Sequence, residues 1–137
     1  MDKNVLRKQV GIILFLSLTF VAGCDKSGDS HGFIKGIISI GPICPVEKIP
    51  PDPGCLPTVE TYKAYPVSVY SSDGKKKIVQ LNPSLDGSYI CEIPDGNYLV
   101  ILDKPQNNIG GSNLPASISI SSRDTTKLNI NIDTGIR

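Results

Sequence analysis

The apolar residues of this chain recur at every second position over most of its length. Clear examples are Val67-Ser-Val69, Ile118-Ser-Ile120 and Leu128-Asn-Ile-Asn-Ile132. A period of two is that of a β-strand with one face buried and the other in water, because successive side chains point to opposite sides. After residue 32, no helical spacing of apolar residues continues over ten positions. We therefore predict an all-β fold, with no helix in residues 24–137.

Turn residues divide the alternating region into seven predicted strands. The segments between them are rich in Gly, Asp, Asn and Pro, which favour the backbone angles of tight turns. Short strands with one apolar face each predict two antiparallel sheets packed about 10 Å apart, and a small barrel is the alternative. One strand, Asn97–Asp103, is apolar on both faces and is predicted to be central. The predicted strands are Phe33–Ile40, Tyr62–Ser71, Lys76–Leu81, Ser88–Ile93, Asn97–Asp103, Ala116–Ser121 and Lys127–Asp133.

A basic segment and then an apolar segment precede the alternating region. Three basic residues within the first eight positions are followed by the 13 residues 10–22, in which apolar side chains dominate. This is the arrangement of a secretory signal peptide, and it is too short for a membrane-spanning helix, which needs about 20 apolar residues. Residues 1–23 are therefore predicted to be a signal peptide. Polar residues 24–32 follow and predict a short, flexible tether.

The last residues of the apolar segment, Val21-Ala22-Gly23-Cys24, resemble the lipobox of bacterial lipoproteins. The resemblance implies that the Cys24 thiol is joined to diacylglycerol, that the chain is cut before Cys24, and that the new amino terminus is acylated. Each buried CH₂ of such chains contributes about 0.8 kcal/mol, so the N-terminal lipid makes the membrane a partner. The expected location is the cell envelope, on the inner or outer membrane and facing the periplasm or the cell surface. An ordinary signal peptide with a chance cysteine near the cut is the alternative.

A second resemblance lies in the run Asp86-Gly-Ser-Tyr-Ile-Cys-Glu-Ile-Pro-Asp-Gly-Asn-Tyr-Leu-Val100. It is similar to the signature of carboxypeptidase regulatory-like domains, in which Asp-Gly and Pro-x-Gly turns flank a short strand. The resemblance implies a prealbumin-like β-sandwich in residues 33–137, with seven antiparallel strands in Greek-key order. It also implies an accessory or binding role, and it offers no catalytic residues.

Export would place the other three cysteines in an oxidising compartment. Cys44 and Cys55 bracket a loop with four prolines, which little besides a cross-link would order, so we predict a disulfide between them. Two free thiols are the alternative. Cys91 alternates with Tyr89 and Ile93 and is predicted to be a buried free thiol of low reactivity. The alternative makes Cys91 a redox sensor or a metal ligand, together with a loop cysteine.

Several classes of function lack the residues that they need. The only histidine, His31, is expected in the tether, which leaves the folded domain without a histidine base or zinc ligand. Asp86 and Asp95 could form a carboxylate pair, but both stand beside glycine in predicted turns. No phosphate-binding glycine loop, dinucleotide fingerprint or calcium loop occurs in the sequence. We therefore predict no enzyme, no cofactor and no metal, and the formal net charge of +1 predicts no nucleic-acid partner.

Three functional hypotheses follow from these features. The favoured one is a non-catalytic sandwich module that its lipid holds on a membrane, where it binds a protein or glycan partner or serves a structural role in the envelope. Because loops at the ends of a sandwich carry recognition, its contacts are expected in loops 42–57 and 104–115. The second hypothesis is a thiol redox or metal-trafficking protein that uses Cys44, Cys55 or Cys91. The third, an accessory subunit of an exported peptidase, rests on the family resemblance alone.

Overall fold

The fold is seen in a computed structural model that describes residues 30–46, 48–104 and 110–137. The predicted signal peptide, the predicted lipid attachment at Cys24 and residues 24–29 of the predicted tether lie outside the described residues. The described part contains two β-sheets, one α-helix and one 3₁₀ turn at Pro53–Cys55. The other elements, in chain order, are β1 His31–Gly41, α1 Val59–Ala64, β2 Val67–Ser71, β3 Lys77–Gln80, β4 Ser88–Pro94, β5 Gly96–Leu102, β6 Gly111–Ser112, β7 Ala116–Ile120, β8 Thr125–Lys127 and β9 Ile130–Asp133.

The two sheets together bury one apolar core, as the alternation predicts. One sheet has the order β4-β1-β9-β6, with β8 also beside β1, and the other has the order β3-β2-β5-β7. The predicted central strand is confirmed, because β5 pairs with β2 on one side and with β7 on the other. The buried apolar side chains are Ile34, Ile38, Ile40, Val67, Val69, Leu81, Tyr89, Ile93, Val100, Leu102, Ile120, Ile130 and Ile132.

The strand pairing around β1 differs from the wholly antiparallel prediction. β1 pairs antiparallel with β4, but it pairs parallel with both β8 and β9. The predicted single strand Lys127–Asp133 is therefore two strands, interrupted at Leu128 and Asn129. The described residues also contain β6, which was not predicted, so the count of seven strands is wrong. Alternation gives the buried face of a strand, but it does not give the strand's direction or its neighbours.

The interruption between β8 and β9 lies opposite Gly36 of β1, a position without a side chain. A Cβ atom at position 36 would overlap the Leu128 carbonyl oxygen, so only glycine lets the chain approach here. The Tyr89 hydroxyl donates a hydrogen bond of 2.6 Å to the same carbonyl oxygen. On the β1 side, the Leu128 N–H donates to the Lys35 carbonyl at 2.9 Å, and the Ile37 N–H donates to Asn129 Oδ1 at 3.2 Å. These bonds replace the regular ladder at the interruption.

A short helix, α1, stands where the sequence predicted none. Thr58 caps it: its hydroxyl accepts a hydrogen bond from the Thr61 N–H, and the Thr61 hydroxyl accepts one from the Thr58 N–H, which is a capping box. Pro66 follows the helix and prevents its continuation. The predicted strand Tyr62–Ser71 is therefore wrong in its first half, since β2 begins at Val67. The tyrosines at positions 62 and 65 pack against the core from this segment.

The first strand also begins earlier than predicted. β1 starts at His31, so residues 31 and 32 belong to the sheet and not to the tether. The placement of His31 in a tether is thereby wrong. At the same end of the sandwich, the Asp95 N–H donates to the Ser30 carbonyl at 2.9 Å, and the Arg123 N–H donates to the His31 carbonyl at 2.8 Å. Among the described residues, no helix is long and apolar enough to cross a membrane.

We expect Gly36→Ala to destabilise the protein by about 2 kcal/mol or more, because the added methyl group forces the Leu128 carbonyl away from β1. Gly54→Ala is the control: its Cβ atom would lie 3.7 Å from the nearest neighbour, Asp52 Oδ1, an ordinary contact, and we expect a change within about 0.5 kcal/mol. Urea unfolding of the full chain followed by circular dichroism measures both changes. Equal stability of the two variants would contradict this account of the β8–β9 interruption.

Candidate functional site

An open apolar groove lies at the end of the sandwich where β1 finishes. Its volume is about 820 Å³. Three parts of the chain form it: the second half of β1, the segment from Leu56 into α1, and the turn before β4. The residues that line it are Ile37, Ile38, Ser39, Ile40, Leu56, Pro57, Thr58, Val59, Glu60, Tyr62, Leu85 and Asp86.

Four large apolar side chains of this groove are exposed to water. The exposed fractions are 48% for Ile37, 48% for Leu56, 52% for Val59 and 66% for Leu85. Single exposed apolar residues are common on protein surfaces, but a cluster from three separate segments is typical of a binding surface. Most other large apolar side chains are buried between the sheets, and the exposed Val46, Ile49 and Ile90 do not line the groove. The groove is therefore a clustered apolar surface that the described residues do not cover.

Local structure holds the two walls of the groove. On one wall, the capping box of α1 presents Val59 and Tyr62. On the other, Gly87 has a positive φ of 81°, and a Cβ there would overlap the Ile38 carbonyl oxygen, so glycine is required for this close turn. Burial, and to a lesser extent the nearby charge of Asp86, raises the pKa of Tyr62. The groove is therefore built on ordered secondary structure.

The charged residues that line the groove are both acidic. Asp86 accepts hydrogen bonds from the Ser88 hydroxyl at 2.6 Å and from the Ser88 N–H at 3.0 Å, and these bonds lower its pKa. Glu60 forms an ion pair of 2.8 Å with Lys63 on the exposed side of α1. No lysine or arginine is among the described residues that line the groove. At neutral pH the groove is therefore lined by two carboxylates, and the charge of Glu60 is partly offset by Lys63 while that of Asp86 has no ion-pair partner among the described residues.

The predicted disulfide is confirmed, and it lies next to the groove. Cys44 and Cys55 are bonded at an S–S distance of 2.15 Å. The loop that they close leads directly into Leu56 and Pro57 of the groove wall, and a second cavity of about 500 Å³ lies beneath this loop. Of the two loops predicted to make contacts, 42–57 thus borders the groove. Residues 105–109 of the loop 104–115 lie outside the described residues.

Cys91 is a free thiol on the inward face of β4, on the same side as Tyr89 and Ile93. It packs against the core but is half-buried, so it is less enclosed than predicted. Burial raises the pKa of its thiol, and the charge of Glu92 raises it further. Cys91 pairs with Ile34, which is seven residues before the end of β1 at Gly41, so the fold does not bring it to the disulfide.

The other residues that the sequence offers as a catalytic pair or as metal ligands are not brought together by the fold. Asp86 and Asp95 flank the two ends of β4, which places them more than about 20 Å apart along the strand. Within residues 30–46, 48–104 and 110–137, no three side chains of His, Cys, Asp or Glu are grouped so that they could hold a metal ion.

A polar cluster around Asp103 was missed by the sequence analysis. The Asp103 carboxylate accepts hydrogen bonds from the Ser68 hydroxyl at 2.7 Å, the Tyr70 hydroxyl at 2.8 Å and the Lys77 ammonium at 2.7 Å. Burial alone would raise the pKa of Asp103, but the three bonds and the positive charge of Lys77 outweigh it, so its pKa is lowered. Ser68 is fully buried, and the hydrogen bonds of the cluster tie β2, β3 and the end of β5 together.

Comparisons with known proteins show the fold but not a family. No protein-family model matches the chain, and no curated protein matches it. A solved structure with a similar fold is the minor pilin GBS52 of Streptococcus agalactiae, with a TM-score of 0.52 and 12% identity over 76% of this chain and 44% of that one. A DUF3823 family protein of Parabacteroides merdae has a TM-score of 0.45 and 14% identity over 76% of this chain and 46% of that one. The TIE protein of Bacillus anthracis has a TM-score of 0.46 and 13% identity over 76% of this chain and 16% of that one.

The chain spans less than half the length of each of these three proteins. At these identities the likeness to the minor pilin shows a shared fold alone. The class that fold and site define is therefore a β-sandwich domain with an exposed apolar groove at one end.

We expect Asp103→Asn to lower the stability at pH 7 by about 1–3 kcal/mol, because the neutral amide leaves Lys77 without its ion pair and weakens the bonds from Ser68 and Tyr70. Since the pKa of Asp103 is lower in the folded state than in the unfolded state, its contribution is present above about pH 4 and is lost as the pH falls. The difference between the two proteins should therefore shrink towards pH 2 in urea unfolding. Asp95→Asn, at an exposed position, is the control and should differ little at either pH. A pH-independent difference would contradict a role for the Asp103 charge.

Proposed function

We propose that this chain is a non-catalytic binding module of the bacterial cell envelope, held on a membrane by a lipid on Cys24. The observation that carries the binding role is the groove with its four exposed apolar side chains from three segments. A clustered, solvent-exposed apolar surface of this kind typically marks a site that a partner covers during function.

Two observations support the place in the envelope. The Cys44–Cys55 disulfide is typical of an oxidising compartment outside the cytoplasm. The basic and apolar N-terminal segments that end at Cys24 resemble those of an exported lipoprotein. The shared fold of a minor pilin supports a non-catalytic role, structural or binding. The carboxypeptidase regulatory-like assignment, with its Greek-key order, is part of this proposal, and the two packed sheets support it.

The direction of β1 puts the entry of the chain at residue 30 and the groove at opposite ends of the sandwich. The chain enters the sandwich at residue 30, and β1 then runs for 11 residues to Gly41. An extended strand of this length covers about 33 Å. The disulfide loop and the groove begin where β1 ends, so they lie at the end of the sandwich that is remote from residue 30, where the chain enters.

Replacement of Cys24 tests the anchor. In cells that express the full chain and are fed an alkyne analogue of palmitate, we expect the protein to be labelled and to sediment with membranes. Cys24→Ala should lose the label completely, because the thiol is the acceptor of diacylglycerol. Cys91→Ala, which also removes one thiol, should keep both the label and the membrane association. A label that persists in Cys24→Ala would overturn the proposal of lipid anchoring.

The thiol redox hypothesis is the second candidate, and the partial exposure of Cys91 is the observation that favours it. The raised pKa of the thiol and its packing against the core oppose high reactivity.

Alkylation rates separate the two candidates. We expect iodoacetamide at pH 7 to modify Cys91 at least about tenfold more slowly in the folded chain than in urea, because folding lowers both thiolate population and access. Ile90→Cys combined with Cys91→Ala places a thiol at the exposed neighbouring position and should react rapidly in the folded state. Equal native rates at the two positions would favour the redox hypothesis over an inert thiol. Mass spectrometry of the alkylated peptides measures the rates.

A further inference from the structure

The groove contains an unpaired length of strand edge. β4 pairs with β1 only from His31 to Ile37, while β1 continues to Gly41. On its other side, this last part of β1 pairs with β9, from Ile38 to Gly41. The β4 side of β1 is therefore open beyond Ile38, and this opening faces the groove.

The hydrogen bonds of β1 show which backbone groups point into the opening. Even-numbered residues bond toward β4, as in the bond from the Ile38 N–H to the Gly87 carbonyl at 2.8 Å. Odd-numbered residues bond toward β8 and β9, as in the bond from the Thr134 N–H to the Gly41 carbonyl at 3.1 Å. Because the two directions alternate along a strand, the N–H and C=O of Ile40 point toward the side that β4 does not reach.

Among the described residues, neither the N–H nor the C=O of Ile40 has a hydrogen-bond partner. Ile40 is nevertheless only 5% exposed, and its side chain is part of the core. Backbone polar groups that are this enclosed are almost always paired, because an unpaired one costs free energy comparable to a lost hydrogen bond. The chain before β4 does not supply the missing strand, since the Gly87 N–H bonds to Ser84 in a tight turn.

We propose that the groove binds an extended peptide segment of a partner protein, which adds as a short strand beside the end of β1. One residue of this peptide exchanges both N–H···O bonds with Ile40, and its neighbours place side chains on both faces of the strand. On the outer face they meet Ile37, and the wall toward α1 presents Leu56 and Val59. Strand addition of this kind gains affinity from main-chain bonds and specificity from the alternate side chains.

Charge defines the peptide further. The groove is lined by two carboxylates, Glu60 and Asp86, and by no basic residue among those described, so we infer that the segment carries lysine or arginine beside its apolar residues. A purely apolar small molecule would cover the exposed side chains but would leave Ile40 unpaired. This inference rests on the proposed binding role, but it does not depend on the lipid at Cys24.

The test uses the full chain in lipid nanodiscs, labelled with ¹⁵N-isoleucine, and the probe acetyl-Lys-Thr-Val-Ile-Val-Thr-Lys-amide. In the free protein we expect the Ile40 amide to exchange with solvent at least about a hundredfold faster than that of Ile38, which is hydrogen-bonded. Saturating peptide should slow the Ile40 exchange at least tenfold. A peptide with alternate N-methylated residues keeps the side chains but lacks the donors and should bind at least tenfold more weakly, as should a peptide with Glu in place of Lys.

Two groove variants and one control complete the test. Leu56→Lys and Val59→Lys place a positive charge in the groove at positions that are already half-exposed, where it removes apolar contact and repels the lysines of the peptide, and each should weaken peptide binding at least tenfold. Ile90→Lys is the matched control at a position that is 68% exposed and does not line this groove, and binding should be unchanged. Circular dichroism verifies that each variant is folded. If one groove variant does not fold, the other still provides the test.

Three results would show that no peptide strand binds at Ile40: protection of the Ile40 amide in the free protein, equal binding of the N-methylated peptide, or absence of peptide binding at 1 mM. A fourth result, protection that rises with protein concentration alone, would also overturn the proposal, because it would identify a second copy of the chain as the occupant. A failure of the lipid label at Cys24 would leave these readouts in place, so the anchor and the peptide site are tested separately.

Discussion

The sandwich depends on the contact between Gly36 and the Leu128 carbonyl group. Because position 36 has no side chain, the chain after β8 comes close to β1, bonds to it irregularly, and resumes as β9. β1 thereby has neighbours along both edges and supplies several of the most buried side chains of the core. The Tyr89 hydroxyl satisfies the same carbonyl, and burial raises the pKa of Tyr89 to about 12. Glycine at position 36 thus permits β1 to pair with both β8 and β9.

The groove arises because the lengths of neighbouring elements do not match. β1 is longer than β4, so its last residues extend beyond the paired edge. The disulfide between Cys44 and Cys55 closes the loop after β1, and the capping box of Thr58 starts a helix at once. These local features bring apolar side chains opposite the open edge without covering it. The proposed binding surface is therefore a product of the same local chemistry that builds the domain.

The sequence predicts the strands and the covalent link better than the neighbours of each strand. Alternation locates the buried faces and the central strand β5, and the proline-rich loop identifies the disulfide partners. Alternation fails at α1, where six residues with no buried member form a helix because of a cap. The Thr58-x-x-Thr61 spacing before Pro66 is the signal that could have shown it. Three features depend on contacts between distant segments, which no local pattern records: the parallel pairing of β8 and β9 with β1, the Asp103 cluster and the open edge at Ile40.

The course of β1 also has a mechanical consequence. A pull between the N-terminal entry at residue 30 and an object held at the far end of β1 would act along the strand. The hydrogen bonds of β1 to β4 and β9 lie across that direction, so the load would be shared among many bonds sheared together. A pull across the strand would instead open them one after another, at a lower force. If the proposed anchor holds the chain before β1 and the proposed partner binds at its far end, the longest strand of the domain would carry tension in the direction in which its hydrogen bonds resist it together.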